Sequence, residues 1–280
     1  MRPEAPEPLP VEVFDSHCHL DIGMDGDPIP VPEALAAARA VGVRRIMTIG
    51  CDLPSSRWSA SAAASHDDVY AGVAIHPNET TGITDAVLDE IAALAALPQV
   101  RAVGETGLDH YRDWAGFADQ ERSFRAHIDI AKRTGKALVI HDRQAHDDVL
   151  RVLLEEGAPD QVVFHCFSGD AAMARVCADR GYVMSFAGNV TFKNATALRE
   201  ALEVAPPELL LVETDAPFLT PVPFRGRQNA SYLIPFTVRH MAEVKGMDLA
   251  ELCTAIAANG ERVFGSWSDG ARPARAVLGP

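Results

Sequence analysis

Phe14-Asp15-Ser16-His17-Cys18-His19-Leu20-Asp21 is the stretch around which the chain reads. The residues from Val11 to Phe14 are apolar and β-prone, and they read as a short buried strand running into a loop. Side chains alternate along a strand, so His17 and His19 project to one side and Cys18 to the other. Two imidazoles two residues apart at a strand end can grip one metal ion, because neutral imidazole is the commonest metal ligand. A doubly wound dinucleotide fold would instead place a glycine-rich loop after its first strand.

Outward from this stretch, apolar strand segments fall at 11–15, 44–50, 69–76, 100–105, 137–141, 161–165, 182–187 and 209–213. Helix-like segments lie between them at 32–40, 55–64, 85–96, 116–134, 144–156, 171–180 and 194–204, and two more follow at 232–245 and 249–259. In 85–96 the apolar residues Val87, Leu88, Ile91, Leu94 and Ala95 keep the helical period. Gly135 and Gly181 sit just past helices, where a left-handed cap is needed. Eight strands alternating with helices predict a (β/α)8 TIM barrel, a single domain over 11–264 with its metal site at the carboxyl mouth of the strands. The Pro- and Glu-rich segment 1–10 is expected to be a flexible tail, and the Gly-, Ser-, Pro- and Arg-rich segment 265–280 a disordered one.

The 280 residues carry a formal net charge of −14, which excludes a protein that coats nucleic acid through a basic face. Any contact with nucleic acid must be local. Apolar runs stop well short of the roughly 20 residues that cross a bilayer, and no secretory start is visible, so no membrane association is expected. The five cysteines lie in or beside apolar segments or in a late helix, as buried reduced thiols would in a cytoplasmic protein.

Ligand-type residues fall at the strand ends. His17 and His19 end the first strand, Glu105 the fourth, His141 the fifth and His165 the sixth, and Asp215 follows the eighth. In a barrel these ends meet at one mouth. Four imidazoles and two carboxylates exceed what one catalytic zinc needs, since that takes three protein ligands and a water. They suit two divalent ions roughly 3.5–4 Å apart, with Glu105 as the bridge and Asp215 as the base for the attacking water. Imidazoles favour Zn2+, Fe2+ or Mn2+, and carboxylates with water suit Mg2+. The reaction class is metal-assisted hydrolysis of a phosphodiester, ester or amide.

Phe-Asp-Ser-His-Cys-His-Leu-Asp at 14–21, Gly-Glu-Thr-Gly-Leu-Asp at 104–109, Ile-His-Asp-Arg at 140–143, His-Cys-Phe-Ser-Gly at 165–169, Thr-Phe-Lys-Asn at 191–194 and Glu-Thr-Asp-Ala-Pro at 213–217 together resemble the TatD family of metal-dependent deoxyribonucleases. The resemblance runs from about Val13 to Phe264. It implies an amidohydrolase-superfamily barrel with a two-metal site on His17, His19, Glu105, His141, His165 and Asp215. It also implies a 3′–5′ exonuclease on DNA, often activated by Mg2+. Some relatives are linked to removal of D-amino acids from aminoacyl-tRNA, so a tRNA ester is the alternative substrate.

The chain departs from the family pattern at three places. His76-Pro77-Asn78 stands where the family often has His-Pro-His. Arg225-Gly226-Arg227-Gln228-Asn229-Ala230-Ser231 replaces Arg-Gly-Lys-Arg-Asn-Glu-Pro, and Asn259-Gly260 replaces Asn-Thr. Loss of an imidazole at 78 and of a cation at 228 is expected to weaken the grip on phosphate or change the substrate. The substrate-binding candidates are His76 after strand three, Arg143 on the face of His141, and Lys193, Arg225 and Arg227 on loops after strands seven and eight, where barrels often bind phosphate. Glu213 is in phase with Asp215 and can support a ligand, and Phe218 and Tyr111 can stack a base.

Overall fold

A computed structural model describes residues 3–24 and 26–266. The elements are β1 (Val13–Cys18), α1 (Val31–Ala40), β2 (Val43–Ile49), α2 (Leu53–Ser65), β3 (Val69–Val73), α3 (Asp85–Ala95), β4 (Val100–Asp109), α4 (Phe117–Thr134), β5 (Ala137–Arg143), α5 (His146–Glu156), β6 (Val162–Phe164), α6 (Ala171–Asp179), β7 (Val183–Phe186), α7 (Thr196–Val204), β8 (Leu210–Val212), α8 (Ile234–Lys245) and α9 (Leu249–Phe264). The strands form one sheet in the order β1 to β8. The chain beyond β8 returns to β1: Asp215 N donates to His17 O at 2.9 Å, and His19 N donates to Ala216 O at 2.7 Å. This is the (β/α)8 TIM barrel that the alternation predicts.

The chain divides into two compact units, Met1–Met47 with Cys166–Arg262, and Thr48–His165 with Val263–Pro280. In the first unit β1 is buried along its whole length, polar residues included. Its ring at Phe14 packs so closely under α9 that a Cβ on Gly260 would lie 1.8 Å from Phe14 Cε1. Only glycine fits there. Asp170 caps α6, its carboxylate accepting from Ala172 N and Met173 N, both at 2.9 Å. Residues 3–10, read from the sequence as a flexible tail, form no helix or strand but are bonded within this unit. Tyr232 Oη donates to Pro3 O at 2.8 Å, Leu9 N donates to Val41 O at 3.0 Å, and Leu9 is buried. Of the C-terminal segment expected to be a tail, residues 267–280 lie outside the described residues.

The second unit holds β3 to β6 with α2 to α5. Strands β3 and β6 are buried at every residue, as apolar runs covered on both faces are. Helix α4 turns Phe124, Ile128 and Ala131 inward and stops at Gly135, whose φ of 66° is the expected left-handed cap. Asp52 caps α2 through a bond from Ser55 N.

Strand β4 does not end at Glu105 as expected; it continues to Asp109. Val103 pairs with Leu138 and Thr106 with Ile140, so three steps on β4 match two on β5. That extra residue is a bulge, and the Gly104–Glu105 peptide within it is cis. A bulge re-aims a side chain without ending the strand. Past it, Gly107 pairs with His141 and Asp109 with Arg143.

Candidate metal centre

In the first unit, β1 and the chain after β8 build one group. The paired bonds between 17–19 and 215–216 set His17, His19 and Asp215 side by side. An Asp215 carboxylate oxygen lies 3.5 Å from His19 Nε2 and 3.9 Å from His17 Nε2. Asp215 has φ 54°, a left-handed conformation that Asp tolerates better than most residues. Beneath it Asp15 is fully buried and accepts from Thr214 N at 2.9 Å and Thr214 Oγ1 at 2.5 Å. Burial pushes the Asp15 carboxyl up to about 7 against the pull of those bonds. Glu213, also fully buried, accepts from Cys166 N at 2.8 Å. It therefore fixes the backbone at the residue after His165, which has φ 41°. A cleft beside His19 is lined by Leu20, Ile22, Pro217, Gln228, Asn229 and Ser231.

In the second unit a larger group gathers around Glu105. His165 Nε2 lies 2.8 Å from Glu105 Oε2 and His141 Nδ1 lies 3.3 Å from it. Burial alone would push the Glu105 carboxyl up. The imidazoles of His165 and His76 and the bond from His141 outweigh that and hold it well below its ordinary value. Two carboxylate bonds, to Asp109 and Glu105, likewise overcome the effect of burial and raise His141.

One hydrogen bond assigns the ring proton of His76. Asn78 N donates to His76 Nδ1 at 3.1 Å, so the neutral His76 ring carries its proton on Nε2. Burial, the main cause, lowers His76 to about 3, which keeps it neutral. That Nε2 faces His141 Nδ1 at 3.3 Å. His141 Nε2 in turn lies 3.3 Å from Asp109 Oδ2 and its Nδ1 3.3 Å from Glu105 Oε2, so a carboxylate stands at each ring nitrogen. Asn78 closes the ring by donating Nδ2 to the same Asp109 oxygen at 3.0 Å.

His76, Glu105 and His141 each offer a ligand-type atom, all within 4.8 Å of one another. Proton placement makes His76 a donor in that group rather than a ligand. Glu105, His141 and His165 are then the residues of this unit that could hold an ion. The donor chemistry fits a divalent ion: a buried carboxylate kept ionised, with the imidazoles of His141 and His165 beside it and the far nitrogen of His141 held by Asp109.

The remaining expected residues are spread more widely. Arg143 lies with its guanidinium 4.0 Å over the Tyr111 ring. Arg225 covers Phe192 at 4.4 Å, Arg227 covers Phe224 at 5.6 Å, and Lys193 is exposed. Phe218 is exposed and sits edge-on to His19. Asn78 is buried and bonded to Asp109 rather than presented to a substrate, so the departure at 78 is an internal one. Cys51 and Cys166 are half-buried, not buried as expected; Cys51 Sγ donates to Glu105 Oε1 at 3.4 Å. Sequence reasoning missed Asp109 and Cys51 as neighbours of the site. Asp109 stands four residues beyond Glu105 in the Gly-Glu-Thr-Gly-Leu-Asp motif, past the expected end of the strand.

The family profile described as TatD related DNase matches residues 14–265. A Mycobacterium tuberculosis protein, described as the uncharacterized metal-dependent hydrolase TatD, is 48% identical over 260 residues, covering 90% of this chain and 98% of that one. The Bacillus subtilis metal-dependent hydrolase YabD is 37% identical over 254 residues, covering 90% and 98%. Among solved structures, the Escherichia coli TatD homolog YjjV is similar with a TM-score of 0.83 at 26% identity, covering 91% of this chain and 98% of that one.

Proposed function

The chain belongs to the family of TatD-related DNases and is a metal-dependent hydrolase, and from that premise we propose that it is a 3′–5′ exonuclease acting on the phosphodiester bonds of DNA. The observation that carries the reading is the Glu105 group. A buried carboxylate held ionised, with His141 and His165 around it, is a costly arrangement to fold. The proposed ligand set is His17, His19, Glu105, His141, His165 and Asp215. What joins the two groups in this proposal is their place in the chain, since their residues lie in the second half of a barrel strand or just beyond it, toward the edge on which barrels build active sites. Two divalent ions, Mg2+, Zn2+ or Mn2+, complete the proposal; when bound they supply Lewis-acid charge and activate a water for attack.

The chain's own residues supply the rest. Asp215 takes the proton of the attacking water. His76, with its proton fixed on Nε2 by Asn78, donates to an oxygen of the substrate phosphate. Arg143 offers a cation beside it, and Lys193, Arg225 and Arg227 receive the more distant phosphates. Five free thiols fit a reducing compartment, and the cytoplasm is the proposed location; among the described residues no helix is long and apolar enough to cross a membrane.

A second reading rests on the cleft beside His19. Gln228 lines it with Leu20, Ile22 and Pro217, so an uncharged amide stands where the family pattern often has a cation. Such a cleft suits an amino-acid side chain, and the reading is hydrolysis of a D-aminoacyl-tRNA ester. The deciding experiment uses a labelled single-stranded DNA oligonucleotide and a D-aminoacyl-tRNA, with and without EDTA, beside the Asp215→Ala variant. Metal-dependent stepwise shortening of DNA, lost in the variant, is the expected result. Intact DNA with released amino acid would replace the first reading by the second.

A further inference from the structure

We infer that the loop after β4 carries a stacking platform for an unpaired nucleotide, with Tyr111 and Trp114 as the base-binding rings and Arg143 and Arg112 as their phosphate-binding partners. The inference deepens the proposed function and rests on it, because it names the form of nucleic acid the same site takes.

The first observation is exposure. Tyr111 and Trp114 are 59% and 62% exposed. Large rings normally bury most of their area, so two such rings three residues apart leave apolar surface in water at a net cost. The second observation is pairing. The Arg143 guanidinium lies 4.0 Å over the Tyr111 ring, and the Arg112 guanidinium lies 4.1 Å over the Trp114 ring. Each cation lies over one face of its ring, and both rings remain exposed. Planar guanidinium groups also present the forked donors that bind phosphate oxygens.

The third observation is anchoring. Asp109 Oδ1 accepts from Tyr111 N at 2.9 Å and from Arg112 N at 3.0 Å. The other oxygen of the same carboxylate binds His141 at 3.3 Å. One buried side chain thus ties the loop to the Glu105 group, and Arg143 lies two residues beyond His141 on β5. The platform is held at the site rather than hung on a free loop.

Charge selects the occupant. A chain of net charge −14 offers no general attraction to a duplex, whose grip on proteins is largely electrostatic. Two guanidiniums beside two π-faces suit one or two unstacked nucleotides, for which stacking supplies sequence-tolerant affinity. A frayed DNA 3′ end and the single-stranded acceptor end of a tRNA share that chemistry.

The test measures KM and kcat of the metal-loaded protein on a 3′-labelled single-stranded DNA and on a D-aminoacyl-tRNA. Tyr111→Ala and Trp114→Ala are each expected to raise KM about tenfold, from the loss of one stacked base, with kcat held, and Tyr111→Phe and Trp114→Phe are expected to restore it. A KM shift on DNA alone, on tRNA alone or on both supports the platform and identifies its source. An unmoved KM, or a fall in kcat without a change in KM, overturns it. If the wild type hydrolyses neither substrate, the proposed function fails on its own. The platform is then read by fluorescence anisotropy of a labelled uncleaved oligonucleotide: binding that the two alanine variants lose supports it, and absent or unaltered binding overturns it.

Discussion

The Nε2 of His141 lies 3.3 Å from Oδ2 of Asp109, and the two side chains are hydrogen-bonded across neighbouring strands β5 and β4. The bond points the other ring nitrogen of His141 at Glu105. A carboxylate behind an imidazole fixes its tautomer and makes the free nitrogen a better donor to a cation. Removal of such a partner typically weakens metal affinity about 10–100-fold. Asp109→Ala is therefore expected to lower the affinity of the centre by about that factor, read by competition with a chelator. Asn78→Ala, which leaves Asp109 in place but removes its 3.0 Å bond, is expected to have a smaller effect. Unchanged metal affinity in Asp109→Ala would detach Asp109 from the centre.

Asp215 carries the base role in the proposed reaction, and its geometry separates that role from folding. Its side chain is partly accessible at 16%, whereas the structural bonds at this corner run through its backbone N to His17 O and through Asp15 to Thr214. Asp215→Asn is expected to keep the melting temperature and to lower kcat by about 10²- to 10⁴-fold, the usual worth of a positioned acid or base. An unfolded variant would make Asp215 structural; a folded variant with full turnover would remove it from the mechanism.

Much of the candidate site was legible because strand alternation is local. His17 and His19 two apart, and Asp215 just beyond an apolar run, needed only a period of two. The bulge at 103–106 was not legible, since one inserted residue leaves no trace in composition. It displaced the expected end of β4 by four residues and hid Asp109 from the reading. Asn78 was read as a lost imidazole facing substrate; its actual partner, Asp109, is 31 residues away in sequence. Cys51 was placed by its apolar neighbours, but the Glu105 carboxylate that it meets comes from a different strand. Contacts of that kind are set by register, which no local pattern reports.

Gly260 tests the packing of α9 against β1. Alanine is a better helix former than glycine by about 1 kcal/mol. On an open helix face Gly260→Ala would therefore stabilise. Here the new Cβ would lie 1.8 Å from Phe14 Cε1 and 2.3 Å from Cζ. Overpacking of this kind costs about 1–3 kcal/mol, and the buried ring cannot swing into solvent. The variant is expected to be less stable than the parent in urea titration. Combining it with Phe14→Leu, which removes ring atoms at the point of contact, is expected to recover part of the loss. A stabilised Gly260→Ala would refute the packing.

Acid sensitivity follows from His127, a buried imidazole distant in sequence from the proposed ligands. Its Nε2 accepts from Ile75 N at 3.1 Å, so its proton sits on Nδ1, which donates to Ser123 O at 2.7 Å. Burial lowers the group from 6.5 to about 4 despite the bond to Ser123. The folded state thus binds fewer protons than the unfolded chain between those values. Stability from this residue is complete above 6.5 and is lost as pH falls toward 4, with about 2 kcal/mol gone between pH 7 and pH 5 by linkage. His127→Gln keeps an acceptor for Ile75 N but does not titrate. Urea midpoints at the two pH values, in wild type and variant, give the contribution by difference, which cancels the titration of the other histidines. A smaller acid loss in the variant, by about that amount, is expected; equal losses would mean that His127 binds its proton alike in the folded and unfolded states.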